Sequence, residues 1–451
     1  MFCCMNKNEA EWGTRKRRDA GRLSRFKSGR LYHAGEVGQI SGQGGRCTQR
    51  RCSISSGSRC CADRKARSLA QVRREAPFAS FSRLPTSKRK LCICAPNSRR
   101  REAATLGEDM RPADLGFSMP AEWAAHQGCW MAWPKRLELW QEHLDAARQD
   151  YVRVAQAIAR FEPVTMYTDP ADADDAKTKC GPSVGVVPVP LDDSWLRDSA
   201  PTVVMDPAGK RAAAAFTFNA WGSKYAPYDK DASLGERIGA LAGFPVYKSE
   251  LVAEGGGFLS DGEGTVITAE TCILNSNRNP GWSKAQAEAE LRAMLGAKKI
   301  IWLPGDPFDT STDGHVDGYL AFVKPATVLC EVVADPEDPR YSIMAENRRV
   351  LETETDARGR RFNLLPIAEA PRSVAPEGAE GYCRSYVNFY IANGAVIVPA
   401  YGIPEDAAVF QTLADAFPDR EIVPVALKTL FRGGGGIHCI TQQQPASSKV
   451  P

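Results

Sequence analysis

Four consecutive glycines, Gly433 to Gly436, run directly into Ile437-His438-Cys439-Ile440-Thr441 near the C-terminus. A flexible linker has no use for Ile-His-Cys-Ile. A buried strand has no use for four residues that are costly to order and pack nothing. The pair of signals suits a backbone that turns tightly, passes close to a ligand and presents one thiol from the start of a strand. Cys439 is therefore the candidate nucleophile, and the rest of the chain is read for its partners.

Charge divides the 451 residues into two parts. Residues 1–109 hold 25 Lys and Arg against 9 Asp and Glu, a net of +16. The other 342 residues hold 33 against 45, a net of −12. Eight of the 14 cysteines also lie in the first part, among them Cys3, Cys4, Cys92 and Cys94. That segment is rich in Arg and Ser and poor in large apolar residues. It cannot bury enough surface to offset its ordering entropy. We read residues 1–109 as a basic, disordered or non-native extension, with translation starting near Met110. An organelle transit peptide is the alternative, and a nucleic-acid-binding tail is disfavoured because no aromatics are interleaved. Residues 110–451 are read as a single catalytic domain.

The remaining cysteines, Cys129, Cys180, Cys272, Cys330, Cys383 and Cys439, are scattered singly, as in a reduced cytoplasmic protein. No metal-ligand spacing occurs, and no apolar run approaches the roughly 18 residues of a membrane span. No GxGxxG opens a helix and no GK[ST] follows the glycines, which argues against a nucleotide-phosphate cradle.

Residues 137–160 carry an apolar stripe of helical period, and residues 284–295 form a second helix ended by Gly296. Residues 164–167, 184–191, 266–268, 300–303, 386–391 and 395–399 read as strands. Asp206-Pro207-Ala208-Gly209 reads as a hairpin turn. Residues 219–225 read as a loop. The order is short strand, hairpin, helix, strand, repeated, with no long parallel rhythm.

Charged residues flanked by glycines, or placed where a strand ends, recur within this pattern. Asp198 follows Trp195-Leu196-Arg197. Glu254 precedes Gly255-Gly256-Gly257. His315 and Asp317 lie in Gly314-His315-Val316-Asp317-Gly318, where an extended backbone sends both side chains to one face. Taken singly, Asp198 and Glu254 also fit polar turns. Together with Cys439 they are spaced by 56, 61 and 122 residues, as expected of a site assembled at the centre of quasi-repeated units.

Several carboxylates around a thiol raise its pKa and weaken it as a nucleophile. That arrangement makes sense if the substrate is a cation. A guanidinium is planar, always charged and pairs with carboxylates through parallel N–H donors. The residues alone thus point to a guanidine-modifying enzyme.

The segments Met119-Pro120-Ala121-Glu122-Trp123, Trp130-Met131-Ala132-Trp133-Pro134, Trp195-Leu196-Arg197-Asp198, Glu254-Gly255-Gly256, Gly314-His315-Val316-Asp317 and the closing GGGIHCITQQQP resemble the agmatine deiminase family of the bacterial peptidyl-arginine-deiminase type. They span residues 119–445 in the family's order. The resemblance implies an α/β fold, a five-bladed α/β propeller of ββαβ-type quasi-repeats around a central site. It implies Cys439 as nucleophile, His315 as acid and base, and Asp198 and Asp317 as the guanidinium clamp. Glu254 assists, Trp195 flanks the substrate, and Gly435 and Gly436 bring backbone close to it. The implied reaction converts agmatine to N-carbamoylputrescine and ammonia, a step of polyamine biosynthesis, with no metal or cofactor and with homo-oligomerisation open. Free or peptidyl arginine, amidino transfer, and a silent cation-binding propeller are the competing readings. Residue 311, where the resemblance leads one to look for an acidic partner of the distal amine, is Ser, and Asp309 or Asp313 could serve instead. Arg432 could pair with an arginine carboxylate. His438 is expected to point away from the site and to be structural.

Overall fold

The structure is a computed structural model that describes residues 110–379 and 381–447. Every reading made above of residues 1–109 lies outside them. The described residues fall within one unit, Ser98–Pro451.

The fold is α/β and its strands form five small sheets. Each sheet uses one local recipe. Two strands pair antiparallel, then a helix crosses over and returns a third strand parallel to the second. One sheet joins Thr202–Met205, Arg211–Thr217 and Val246–Val252; the next joins Phe258–Ser260, Thr265–Ala269 and Lys299–Leu303. A third joins Leu320–Lys324, Thr327–Val332 and Asn363–Ala368, and a fourth joins Tyr390–Ala392, Ala395–Ala400 and Glu421–Ala426. The fifth sheet is built from both ends of the described chain. Thr441–Pro445 pairs antiparallel with His126–Ala132, which pairs parallel with Val164–Thr168, and Val184–Pro188 is added outside.

The sequence explains the recipe locally. Lys284–Leu295 starts with a reciprocal capping box between Ser283 and Gln286 and stops at Gly296, whose φ of 64° is left-handed. Its Ala287, Leu291, Met294 and Leu295 are buried against the sheet. Thr265–Ala269, the middle strand of its sheet, is buried along its whole length, as a strand covered on both faces must be. Truncating Leu291 to Ala in such a core costs about 2–5 kcal/mol.

This topology positions the site. Five connections lead from the parallel strand of one sheet to the first strand of the next. Each carries at least one of the residues that meet below: Asp198 in 188–202, Glu254 in 252–258, His315 and Asp317 in 303–320, Asn388 in 368–390, and Cys439 in 426–441.

Four expectations need correction. The helix of residues 137–160 is broken: Leu137–Trp140 is followed by a 3-10 turn at Gln141–His143 and then by Leu144–Ile158, with Gln141 at φ 49°. The break lets Trp140 turn inward and stack on Trp195, ring centroids 5.9 Å apart. The strand of 184–191 stops at Pro188, because Pro188 and Pro190 withhold ladder donors. Of 386–391, only the last residues join Tyr390–Ala392, and Asn388 is freed for the site. Cys439 lies in a turn just before Thr441–Pro445 and does not open the strand.

Candidate active site

Cys439 is half-buried, whereas Asp198, Glu254, His315 and Asp317 are all buried. The thiol lies 3.3 Å from Asn388 Oδ1 and 3.8 Å from Asp317 Oδ2. Asn388 Oδ1 also accepts from the Cys439 backbone N–H at 3.3 Å, while its amide donates to the Asp317 carbonyl at 3.1 Å. One side chain thus ties the turn of Cys439 to the loop that carries Asp317. Burial, and then the charges of Asp317 and Asp198, push the Cys439 thiol well above its ordinary pKa.

Asp198 Oδ1 accepts from the Gly256 N–H at 3.0 Å, and Oδ2 accepts from the Trp221 indole N–H at 3.0 Å. Burial outweighs the nearby His315 and lifts this carboxyl to about 6, with Asp317 and Glu254 adding to the rise. Gly256 is required here. A Cβ at that position would lie 2.5 Å from His315 Nδ1, 2.9 Å from Asp317 Oδ2 and 3.1 Å from Asp198 Oδ1.

His315 and Asp317 do share a face, but not through an extended backbone. His315 caps the 3-10 turn Val316–Gly318, which folds both side chains inward. His315 Nδ1 lies 3.8 Å from Asp198 and 3.9 Å from Asp317, and it has no hydrogen-bond partner among the described residues. Its Nε2 lies 3.4 Å from Glu254 Oε2. Burial disfavours the imidazolium, but Asp198, Cys272 and Glu254 outweigh it and raise the pKa well above the ordinary value. Glu254 is held by the Arg278 guanidinium, with Nε 2.7 Å from Oε1, and both side chains are fully buried. Burial alone would raise the Glu254 carboxyl; His315 and Arg278 reverse this and lower it.

His438 departs from the expectation that it points away. It shares Asp317 with the site, Nδ1 to Oδ2 at 2.7 Å, and its Nε2 meets Glu122 at 2.9 Å. Arg197 braces the same turn. It donates to the His438 carbonyl at 3.3 Å and to Gln443 at 2.8 Å, and it pairs with Glu122 at 3.3 Å. His438 and Arg197 hold the Glu122 carboxyl down at about 2 against the effect of burial.

Cys439, Gly434 and Gly435 line two adjoining cavities. The larger, about 390 Å³, is also lined by His315, Asp317, Asn388, Tyr319 and residues 308–312. The smaller, about 30 Å³, is walled by Trp195, Asp198, Trp221 and Tyr225. Gly435 makes room for Trp195, 2.5 Å from where a Cβ would lie. Gly436 instead accommodates Asn388, and does not line either cavity. Ser311 lines both cavities, but neither proposed acidic substitute is free. Asp309 is occupied by Ser311, Thr312 and Gly314, and Asp313 by Lys224, Asn277 and Arg278. Arg432 is exposed and lines neither cavity; the arginines of the larger one, Arg340 and Arg384, both pair with Glu369.

The sequence reading singles out none of Asn388, Trp221, Cys272 and Arg278 as site residues. For Asn388 there was a signal. The gap of 122 residues between Asp317 and Cys439 is twice the 61 between Glu254 and His315, so one repeat lacked its representative.

Residues 118–445 match the sequence profile of the Porphyromonas-type peptidyl-arginine deiminase family. An agmatine deiminase of Pseudomonas fluorescens strain SBW25 is 42% identical over 360 residues, covering 75% of this chain and 98% of the relative. The structure of the agmatine deiminase of Enterococcus faecalis superposes with a TM-score of 0.71 at 31% identity, over 75% of this chain and 98% of that one. A C. jejuni agmatine deiminase solved with substrate bound superposes with a TM-score of 0.65 at 26% identity, over 73% and 97% of the two chains.

Proposed function

The chain belongs to the Porphyromonas-type peptidyl-arginine deiminase family, and from that membership we propose that it hydrolyses agmatine to N-carbamoylputrescine and ammonia through a covalent adduct on Cys439. The observation that carries the mechanism is the buried quartet of Asp198, Glu254, His315 and Asp317 beside a half-buried thiol. Glu254 already meets Arg278 and Asp317 meets His438, but Asp198 accepts only from the neutral N–H groups of Gly256 and Trp221, so a guanidinium would supply the charge partner that a neutral substrate would not.

In this reading Asp198 and Asp317 clamp the guanidinium nitrogens, and Trp195 and Trp221 wall the smaller cavity beside it. The arriving cation offsets the carboxylate charges that oppose ionisation of Cys439. The thiol gives up its proton to solvent and the thiolate attacks the guanidinium carbon, forming a C–S bond. His315 Nδ1, which has no hydrogen-bond partner among the described residues, protonates the departing amino group, so that ammonia leaves and a thiouronium remains. His315 then takes a proton from water. The hydroxide adds to the same carbon, and the C–S bond breaks to return the thiol and release the carbamoyl product. Glu254, fixed by Arg278, holds Nε2 and keeps Nδ1 aimed at the reacting centre.

The same proposal takes the five sheets as the five blades of a propeller, because each of their five connections brings at least one residue to the site and the two ends of the described residues share a sheet. It also takes residues 110–451 as the catalytic domain and the cytoplasm as its compartment. The six described cysteines are free, and no helix among the described residues is long and apolar enough to cross a membrane.

Ammonia release measured with agmatine, free arginine and an arginine-containing peptide separates the readings. Turnover of agmatine with at least tenfold preference supports this one. Preference for either arginine substrate, or ammonia-free transfer of the amidino group to an added amine, would replace it.

A further inference from the structure

Behind the His315 ring lies a buried cluster that the reaction uses only in part. Cys272, in the short helix Glu270–Ile273, is fully buried, and its Sγ lies 3.8 Å from Glu254 Oε2. The same carboxylate oxygen lies 3.4 Å from His315 Nε2, and the three donor atoms fall within 4.8 Å of one another. A tetrahedral zinc site has bonds of about 2.0–2.1 Å to N and O and about 2.3 Å to S, which sets ligand-to-ligand edges of about 3.3–3.6 Å. The two measured edges are therefore close to those of an assembled three-ligand site. The donor set, one thiolate, one imidazole and one carboxylate, selects a borderline divalent cation over Mg²⁺ or Ca²⁺. Arg278 fixes Glu254 through its other oxygen, Oε1, which supplies the outer support that ligating carboxylates need.

We infer that Glu254, Cys272 and His315 form an inhibitory site for a borderline divalent cation such as Zn²⁺, separate from the nucleophile Cys439. On binding, the Cys272 thiol proton and any proton on His315 Nε2 leave to solvent. The metal then forms one bond each to Sγ, Nε2 and a Glu254 oxygen, and water fills the fourth position. A metal-bound imidazole no longer cycles between its neutral and doubly protonated forms, so His315 loses its acid and base roles. Occupancy of the site does not depend on the reading of function given above; its inhibitory effect rests on that reading.

The test titrates the full chain with Co²⁺, whose bonds to thiolate give a charge-transfer band in the near ultraviolet. The chain carries other cysteines, so the reading is a difference. Wild type is expected to hold one more tight Co²⁺ per chain than Cys272→Ser, and one more than Glu254→Gln. Cys439→Ser is expected to keep that additional equivalent. Loss of the equivalent in Cys439→Ser, or no difference between wild type and both ligand variants, overturns the proposal. Zn²⁺ should abolish ammonia release in proportion to site loading, with recovery on adding a chelator. Full activity of the loaded protein would refute the inhibitory role, and because the cobalt band needs no turnover, a protein inactive toward agmatine would still report on the site.

Discussion

Two histidines approach the same carboxylate, Asp317, one at each of its oxygens, and they are wired differently. His438 has both ring nitrogens engaged, by Asp317 at 2.7 Å and Glu122 at 2.9 Å, with Arg197 bracing its backbone. His315 has one nitrogen held near Glu254 at 3.4 Å and the other without a partner, between Asp198 and Asp317. Both are buried and both have raised pKa values, for the same reason: carboxylates outweigh burial. Burial and pKa therefore do not distinguish the residue proposed as acid and base from the supporting one; the open valence does. A fully engaged histidine fixes geometry, and a half-engaged one can exchange a proton with something that arrives.

The sharpest way to break this contrast is to exchange the two rings for amides. His315→Gln should lower kcat by about 10³-fold or more, equivalent to roughly 4 kcal/mol of barrier, because the proposed general acid and base is then gone. His438→Gln should cost about 10- to 100-fold, as for a supporting partner, and should also lower the unfolding free energy by about 1–3 kcal/mol through the half-satisfied Glu122 and Asp317. Steady-state ammonia release and urea denaturation of the two variants check this. Equal losses in kcat would erase the distinction.

A smaller effect concerns Asp198. A carboxyl raised to about 6 is neutral below that pH and cannot pair with a guanidinium, so kcat/KM for agmatine should fall as pH drops through about 6, and this limb should vanish in Asp198→Asn. The sign for stability is opposite to that of an ordinary salt bridge. The folded free protein binds this proton more tightly than the unfolded chain, whose Asp titrates near about 4, so the group's contribution to stability is lost as pH rises from about 4 through about 6. Asp198→Asn should remove this pH dependence without a net gain in stability at pH 8, because one of the Gly256 and Trp221 N–H donors then faces an amide NH2 and loses its acceptor, at about 1–3 kcal/mol.

The same contrast explains what could be read from the chain. Features set by near neighbours were legible. The hairpin around Asp206 to Gly209 pairs as read, Val204 opposite Ala212, and the helix of 284–295 has the ends its Ser283 and Gly296 dictate. Cys439, Asp198, Glu254, His315 and Asp317 were singled out by chemistry that clashed with its surroundings, and they converge. Their partners were not legible. Glu122 meets His438 across 316 residues, and Arg278 looks in sequence like any loop arginine. Asn388 was hidden inside an apolar run, Tyr386-Val387-Asn388-Phe389-Tyr390, whose strand begins only at Tyr390. Trp221 was hidden in a loop whose left-handed φ of 54° aims its indole at Asp198. Supporting contacts depend on which sheets become neighbours, and periodicity within one sheet carries no record of that.

The covalent step is open to the most direct test. Wild-type protein quenched in acid during agmatine turnover, then digested and analysed by mass spectrometry, should carry one amidino group on the peptide containing Cys439, and Cys439→Ser should show neither the adduct nor turnover. Rapid turnover with an unmodified Cys439 peptide, or an adduct on Cys272 or Cys383 in its place, would contradict the account.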